Sequence, residues 1–405
     1  MSPTRKLPPT AKDAHPRSHL GVRQQNLASI LKLVHLYGSL TRSELVIMTG
    51  LNRSTVLDLV ADLESRVLVT QHQLSGVGEV GRPSIEVTAC DTIITFVVIP
   101  RLRELTVGVV GLGGKVLQRQ RHPMPEGATP EEVADKAGAI INELRTTLPP
   151  DTTIAGVGVA APGQVRVATG DMRWAPGLGW QETPFAQLLN QRTGLSVRLD
   201  NDASLACAAE QAFGAGQGRQ NMIFLIGVPG GLGGGVTING ELLRGHHGYA
   251  GELGHMRISD ETTRDYSGIP GTLEAMVRRD DLLAAVNLID VEDDQLFEAL
   301  RSQRDEPAVS AILDRQTHYL GRAIALLLCA ANPEIVVLSG FLEILLELRR
   351  DQLMEDIAAQ TFPVALEGVE IHPGKMGSRL LLVGTAELAF QELLEDPLGA
   401  ALVSP

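Results

Sequence analysis

The sequence predicts an α/β protein in which an N-terminal winged helix-turn-helix precedes a larger α/β body of two lobes. Three observations carry that prediction. Residues 23–88 hold capped amphipathic helices followed by two β-rich segments. From Ile93 onward, short apolar strands alternate with helical stretches, the order expected of layered α/β architecture. Between Asp200 and Glu274, carboxylates, an amide and an imidazole gather in short motifs, a set suited to a polyol whose hydroxyls both donate and accept hydrogen bonds.

The N-terminal elements follow in order. Residues 1–20 carry Arg5, Lys6, Lys12 and Arg17, with Pro and His in place of an apolar signal core, and read as a flexible basic arm. Residues 25–36 place Leu27, Ile30, Leu31, Val34 and Leu36 at helical spacing, and Gly38 ends the run. Thr41, with Glu44 three residues on, forms a capping box for a helix that turns Leu45, Val46 and Met48 inward and stops at Thr49-Gly50. Asn52 caps a further helix with Val56, Leu59, Val60 and Leu63 on one face.

Two short helices joined by a Gly-containing turn make a helix-turn-helix. Arg53, Ser54 and Thr55 then start the second helix, the part that meets base edges in the major groove, and Thr41 joins them as a candidate DNA contact. For this reading, Asp58, Asp62 and Glu64 must face away from phosphates. Residues 67–70 and 84–87 read as strands around a Gly-rich stretch at 75–83, a hairpin whose tip is a wing. Arg82, within Gly81-Arg82-Pro83, is placed to enter a narrow minor groove. The same pattern would serve a winged helix used for protein contacts.

In the body, residues 96–99 and 105–110 read as strands, and 111–114 as a turn into 115–118. A helix over 130–148 precedes a buried strand at 154–160 that ends at Pro162-Gly163. Residues 185–193 read as a helix, 196–199 and 221–226 as strands, and 227–235 as a Gly-rich loop. The expected organisation is an arm at 1–20, a winged helix-turn-helix at 21–90, a body at 91–393 and a tail at 394–405.

Composition excludes several classes. An apolar content of 44% with 20% charged residues is that of a soluble globular chain, and no apolar run approaches the ~18 residues of a membrane span. Cys90, Cys207 and Cys329 are too few and too far apart for a disulfide framework, so a cytoplasmic protein is expected. The net charge of −13 is uneven: residues 1–90 hold 10 Lys+Arg and 7 Asp+Glu, and the remainder 25 and 41. An acidic body repels nucleic acid, so DNA contacts must come from the N-terminal part.

The chain resembles the ROK family, within its winged-helix regulators such as the xylose, N-acetylglucosamine and glucose repressors. The resemblance runs from about Gly21 to about Leu393. It is carried by Ala161-Pro162-Gly163, Asp200-Asn201-Asp202-Ala203, the stretch from Gly245 to Gly248-Tyr249-Ala250-Gly251-Glu252-Leu253-Gly254-His255, and Asn332 to Gly340. It implies an actin-like, ribonuclease-H-like sugar-kinase fold. It further implies that Asn201, Asp202, Glu252, His255 and Glu274 contact a sugar, with Asp202 at the place of the kinases' catalytic base.

Two departures shape the functional expectation. Family kinases carry an Asp-x-Gly-x-Thr-type phosphate loop after the first strand, whereas here the place reads Val98-Ile99-Pro100-Arg101-Leu102-Arg103. It has neither the carboxylate that organises Mg²⁺ nor the glycine that admits a phosphate, and phosphoryl transfer depends on both kinds of positioning. The family's zinc motif has three cysteines where this chain has Asp265, Ser267 and Thr272, while His255, Gly268, Gly271 and Glu274 remain. Serine and threonine are poor Zn²⁺ ligands, so no metal and no cofactor are expected. A further departure is Gly177, where relatives often carry Asn.

The expected protein is therefore a DNA-binding transcriptional regulator of repressor type and not an enzyme. Its expected partners are double-stranded operator DNA, a sugar or sugar-phosphate effector, and a second copy of itself in a homodimer or dimer of dimers, with no membrane partner. Two rival readings stand beside it: a ROK-type sugar kinase with an appended DNA-binding module, and a ligand-independent regulator with a degenerate cleft controlled by a protein partner.

Overall fold

The computed structural model describes residues 19–73 and 84–405. The expected arm up to residue 18 and the hairpin tip at 75–83, Arg82 included, lie outside the described residues. The chain divides into two compact units, one formed by residues 1–205 with 381–405 and the other by 206–380.

The first unit opens with helix His19–Tyr37, which begins inside the stretch expected as an arm. Strand Ser39–Thr41 follows, then helices Arg42–Thr49 and Arg53–Ser65. Both predicted caps form. Thr41 Oγ1 accepts the Glu44 amide at 3.2 Å while Glu44 accepts the Thr41 amide at 2.8 Å, and Asn52 Oδ1 accepts the Thr55 amide at 2.8 Å. Gly50 turns the chain at φ 70°, a left-handed value that suits glycine. Strands Val69–Gln73 and Ile85–Ala89 pair antiparallel, and Ser39–Thr41 adds to the free edge of the latter. The strand expected from residue 67 starts at Val69 because Val67 and Leu68 close the preceding helix, donating to Glu64 and Leu63 carbonyls.

No gap in the core marks the boundary expected at residue 90. Leu27, Ile30, Leu31, Val56 and Leu63 of the helices share one buried cluster with Ile93, Val97, Leu382 and Phe390. His35, 1% exposed, sits at this junction: its Nδ1 accepts the Gly113 amide at 2.8 Å and its Nε2 meets Glu387 at 2.7 Å. The segment expected as a tail is engaged as well. Helix Leu380–Glu395 enters it, and Val403 exchanges backbone hydrogen bonds with Ile154.

The main sheet of this unit contains Ile93–Pro100, Glu104–Gly111, Lys115–Pro123, Thr153–Ala161 and Val197–Asn201. The first three form an antiparallel meander, and the last two add in parallel on the other side of Ile93–Pro100. Ile93–Pro100 is buried along its whole length, which is why it reads as an apolar run interrupted only by Thr95, whose hydroxyl donates to the Gly156 carbonyl.

The second unit repeats that plan. Met222–Val228, Gly231–Ile238 and Glu241–Leu242 form the antiparallel meander, and Ile335–Gly340 and Glu370–Pro373 add in parallel on the other side. The same strand order and senses in both units give the doubled α/β architecture expected of an actin-like sugar-kinase fold. The stretch expected as a Gly-rich loop at 227–235 is mostly strand, turned by Pro229-Gly230. Its glycines answer to packing: a Cβ on Gly235 would lie 2.6 Å from Cys207 Cβ. Helix Pro307–Ala331 covers this sheet and ends at Asn332 in the left-handed region.

Past the end of Ile335–Gly340, Glu343 accepts the Ser339 hydroxyl at 3.2 Å. Burial, reinforced by the charge of Glu210, pushes the Glu343 carboxyl up to about 7 despite that donor. An acid whose pKa is higher folded than unfolded binds more protons in the native state, so stability falls as pH rises from ~4.5 through ~7. Glu343→Gln should abolish that fall, stabilising the protein at pH 8 relative to wild type by on the order of 2 kcal/mol while leaving it unchanged near pH 4. Urea unfolding followed at both pH values measures this.

Candidate functional site

The polar residues singled out in the sequence fall into two groups, one in each unit. In the first unit, Val197–Asn201 is a parallel strand whose C-terminal end delivers Asn201 directly into helix Asp202–Phe213. Asn201 Oδ1 accepts the Ser204 amide at 2.9 Å and its Nδ2 donates to the Gly163 carbonyl at 3.0 Å. One amide therefore caps the helix and ties it to the Ala161-Pro162-Gly163 turn, joining two sequence motifs that lie far apart in the chain. Asp202 stands in the first turn of the helix with Oδ1 accepting the Ala203 amide at 2.8 Å. Carboxylates are stabilised at a helix N-terminus by its partial positive charge. Asp200 is 1% exposed and its Oδ1 accepts the Asn201 amide, so it shapes the turn from within.

In the second unit, Glu252 precedes the short 3-10 turn Leu253–His255, and Glu274 lies in helix Leu273–Met276. His255, Asp265 and Glu274 have ligand-type atoms within 4.8 Å of one another. Glu274 is 7% exposed, with Oε2 accepting the Leu232 amide at 2.9 Å and Oε1 accepting the Tyr266 amide at 3.2 Å. It thus pins the hairpin at Gly231-Leu232 against the loop at Tyr266. Gly231 has φ 149°, and a Cβ there would lie 2.3 Å from Glu274 Oε2, so the approach requires glycine. Burial raises the Glu274 pKa against the two amide donors. For His255, burial works against the charged form, but the Asp265 hydrogen bond and the charges of Glu274, Asp265 and Glu252 outweigh it and raise the pKa.

Asp265 was read from the sequence only as a lost cysteine. It is 8% exposed, and hydrogen bonds from His255, Ile269 and Thr272, with the His255 charge, hold its pKa low although burial works the other way. The donor set does not fit the tetrahedral zinc that the family motif implies. Thr272 Oγ1 donates to Asp265 and accepts the Ala275 amide as a helix cap, and His255 Nδ1 is spent on Asp265. The signal for Asp265 in the sequence was its place: a carboxylate between a histidine and a capping threonine, in a loop rich in backbone donors.

The place of the kinase phosphate loop is a tight hairpin. Pro100 ends its strand opposite Leu105, the Arg101 amide donates to the Glu104 carbonyl, and Arg103 pairs with Glu126 at 2.6 Å.

At the candidate DNA face, Arg53 and Ser54 are exposed and Thr55 is half-buried at the start of helix Arg53–Ser65. The Ser54 hydroxyl donates to Asn52 Oδ1 at 2.7 Å, and Thr41 is committed to its capping box, so these two shape helix ends before they meet any partner. Asp62 pairs with Arg23 at 2.8 Å and Glu64 accepts Gln71 Nε2 at 2.6 Å. Asp58 does not share that arrangement: it is exposed four residues after Ser54, on the same helix face.

A model of the ROK family matches residues 103–392. The xylose repressor of Bacillus subtilis is 25% identical over 398 residues, covering 92% of this chain and 97% of that protein. The glucokinase of Thermotoga maritima is 30% identical over 321 residues, covering 74% of this chain and 93% of its own length. Among solved structures, a ROK family transcriptional regulator described as a homologue of the E. coli MLC protein superposes with a TM-score of 0.76 at 22% identity, over 92% of this chain and 97% of that one. At that identity it shows a shared fold. The match over residues 103–392, joined to the glucokinase similarity, places this chain in the ROK family.

Proposed function

We propose that this chain is a cytoplasmic, sugar-responsive transcriptional repressor that reads operator DNA as a homodimer through its helix-turn-helix. The observation that carries the reading is the reach of the repressor similarity, which spans the N-terminal helices as well as the body. Asn201, Asp202, Glu252, His255 and Glu274 would contact the sugar, and Glu274, which accepts two backbone amides, would also hold the loops around it. A ligand shifts such a switch only through its differential affinity for the DNA-binding and released states. The hairpin at Pro100–Glu104 offers no phosphate cradle, which supports sensing without phosphoryl transfer.

Sugar binding is checked by thermal shift with D-xylose, D-glucose and their phosphates, since a ligand that binds only the native state raises apparent stability. One of these should raise the midpoint in wild type, and Asp202→Ala and Glu252→Ala should abolish that shift while operator binding persists. Sugar-dependent ADP release from ATP would favour the kinase reading, and persistence of the shift in both variants would remove these residues from the site.

DNA binding is checked on the operator fragment that the wild type protects. Arg53→Ala should weaken binding by ~1–3 kcal/mol if the guanidinium meets a base, or reduce the salt slope by about one if it meets a phosphate. Arg82→Ala should act in the same direction. Unchanged affinity across a salt series in both variants would exclude this face.

A further inference from the structure

The loop from His255 to Glu274 closes on a single carboxylate. Asp265 Oδ1 accepts the Ser267 amide at 2.9 Å and the Ile269 amide at 2.8 Å. Its Oδ2 accepts Thr272 Oγ1 at 3.0 Å and faces His255 Nδ1 at 2.9 Å. A carboxylate has about four lone-pair positions, and here each has a donor. Three of those donors belong to positions 267, 272 and 255, which with 265 itself are the four positions of the family's metal motif. Thr272 passes the constraint on by capping the helix that carries Glu274.

We propose that Asp265 is a positioning residue for effector recognition: it replaces a metal as the hub of this loop and holds His255 with Nδ1–H turned inward, so that Nε2 is the atom presented to a sugar hydroxyl. The proposal rests on the reading of His255 as a sugar contact. Its chemical content differs from that of a metal site. A cation bound at Nδ1 would leave Nε2–H a donor. A carboxylate at Nδ1 keeps the proton there, so the neutral ring offers Nε2 as an acceptor and the charged ring offers it as a donor. A hydroxyl pairs with either form. The groups that face His255 and favour its charged form are Asp265, Glu274 and Glu252.

The test uses the full chain labelled with ¹⁵N-histidine, the His255 signals being assigned by their loss in His255→Gln. In a pH series carried upward until the His255 signals stop shifting, the neutral ring of wild type should show the Nδ1–H tautomer, and Asp265→Asn should shift the population toward Nε2–H. Wild type purified with added zinc should retain less than about one-tenth of an equivalent after dialysis. Titration of wild type with D-xylose and with D-glucose should give an affinity unchanged by EDTA and lowered about tenfold or more in Asp265→Asn, the scale of losing a charge-assisted hydrogen bond. An Nε2–H tautomer in wild type, one zinc per chain, or an affinity lost on chelation would each overturn the proposal. The tautomer and zinc measurements on wild type need no sugar. If neither sugar binds wild type, the sugar-contact reading of His255 fails and the recognition role falls with it, while those two measurements still decide whether Asp265 is the metal-free hub.

Discussion

A carboxylate withdrawn from water must fill its acceptor sites from protein donors, and the irregular segments of the second unit are arranged around three groups under that constraint. Glu210, with no exposed surface, accepts the amides of Ala215, Lys375 and Met376. Glu274 accepts those of Leu232 and Tyr266, and Asp265 those of Ser267 and Ile269. Apart from Leu232, at the start of strand Gly231–Ile238, these amides belong to turns and loops, so each acid fixes several backbone points at once. Glu343 shows the alternative outcome: there burial outweighs the donors, and the group takes up a proton near neutral pH.

Local chemistry was legible in the sequence where it is set by neighbours in the chain. Thr41 with Glu44 and Asn52 announced their helix starts, and residues 185–193 match helix Phe185–Thr193 because Gly194 stops it in the left-handed region. Strand Ser39–Thr41 escaped notice, since three residues with one buried side chain, Leu40, carry no periodicity. The Gly-rich segment at 227–235 read as a loop because glycine marks close approach as well as turning, and sequence cannot tell the two apart when the neighbour is as distant as Cys207. The hub at Asp265 stayed hidden for a similar reason: its meaning lies in which donors the fold brings to it.

The candidate site was legible in part. Asn201 and Asp202 stand where a parallel strand ends and a helix begins, a position that favours ligand contacts in α/β sheets, and motif order alone pointed there. Glu274 carried a different lesson. It matches a sugar-contact position by motif, and its geometry adds a second task that the motif does not announce, bracing the hairpin against the loop. A motif conveys residue type and order, whereas the division of labour between touching a ligand and holding the loops around it depends on how many lone pairs are already engaged.

The junction at His35 has a kinetic consequence. Its partner Glu387 lies 352 residues further along the chain, and the buried cluster of the first helices includes Leu382 and Phe390 from the last helix. Closing a contact across that separation is slow and entropically costly, and it has to wait until the partner exists. At ~5–20 residues per second of synthesis, the first helix leaves the ribosome roughly 20–70 s before the helix that completes its core. During that interval the apolar face around Leu27 and Leu31 can pack against Val56 and Leu63 but lacks Leu382 and Phe390, so the N-terminal core stays incomplete until the last helix arrives.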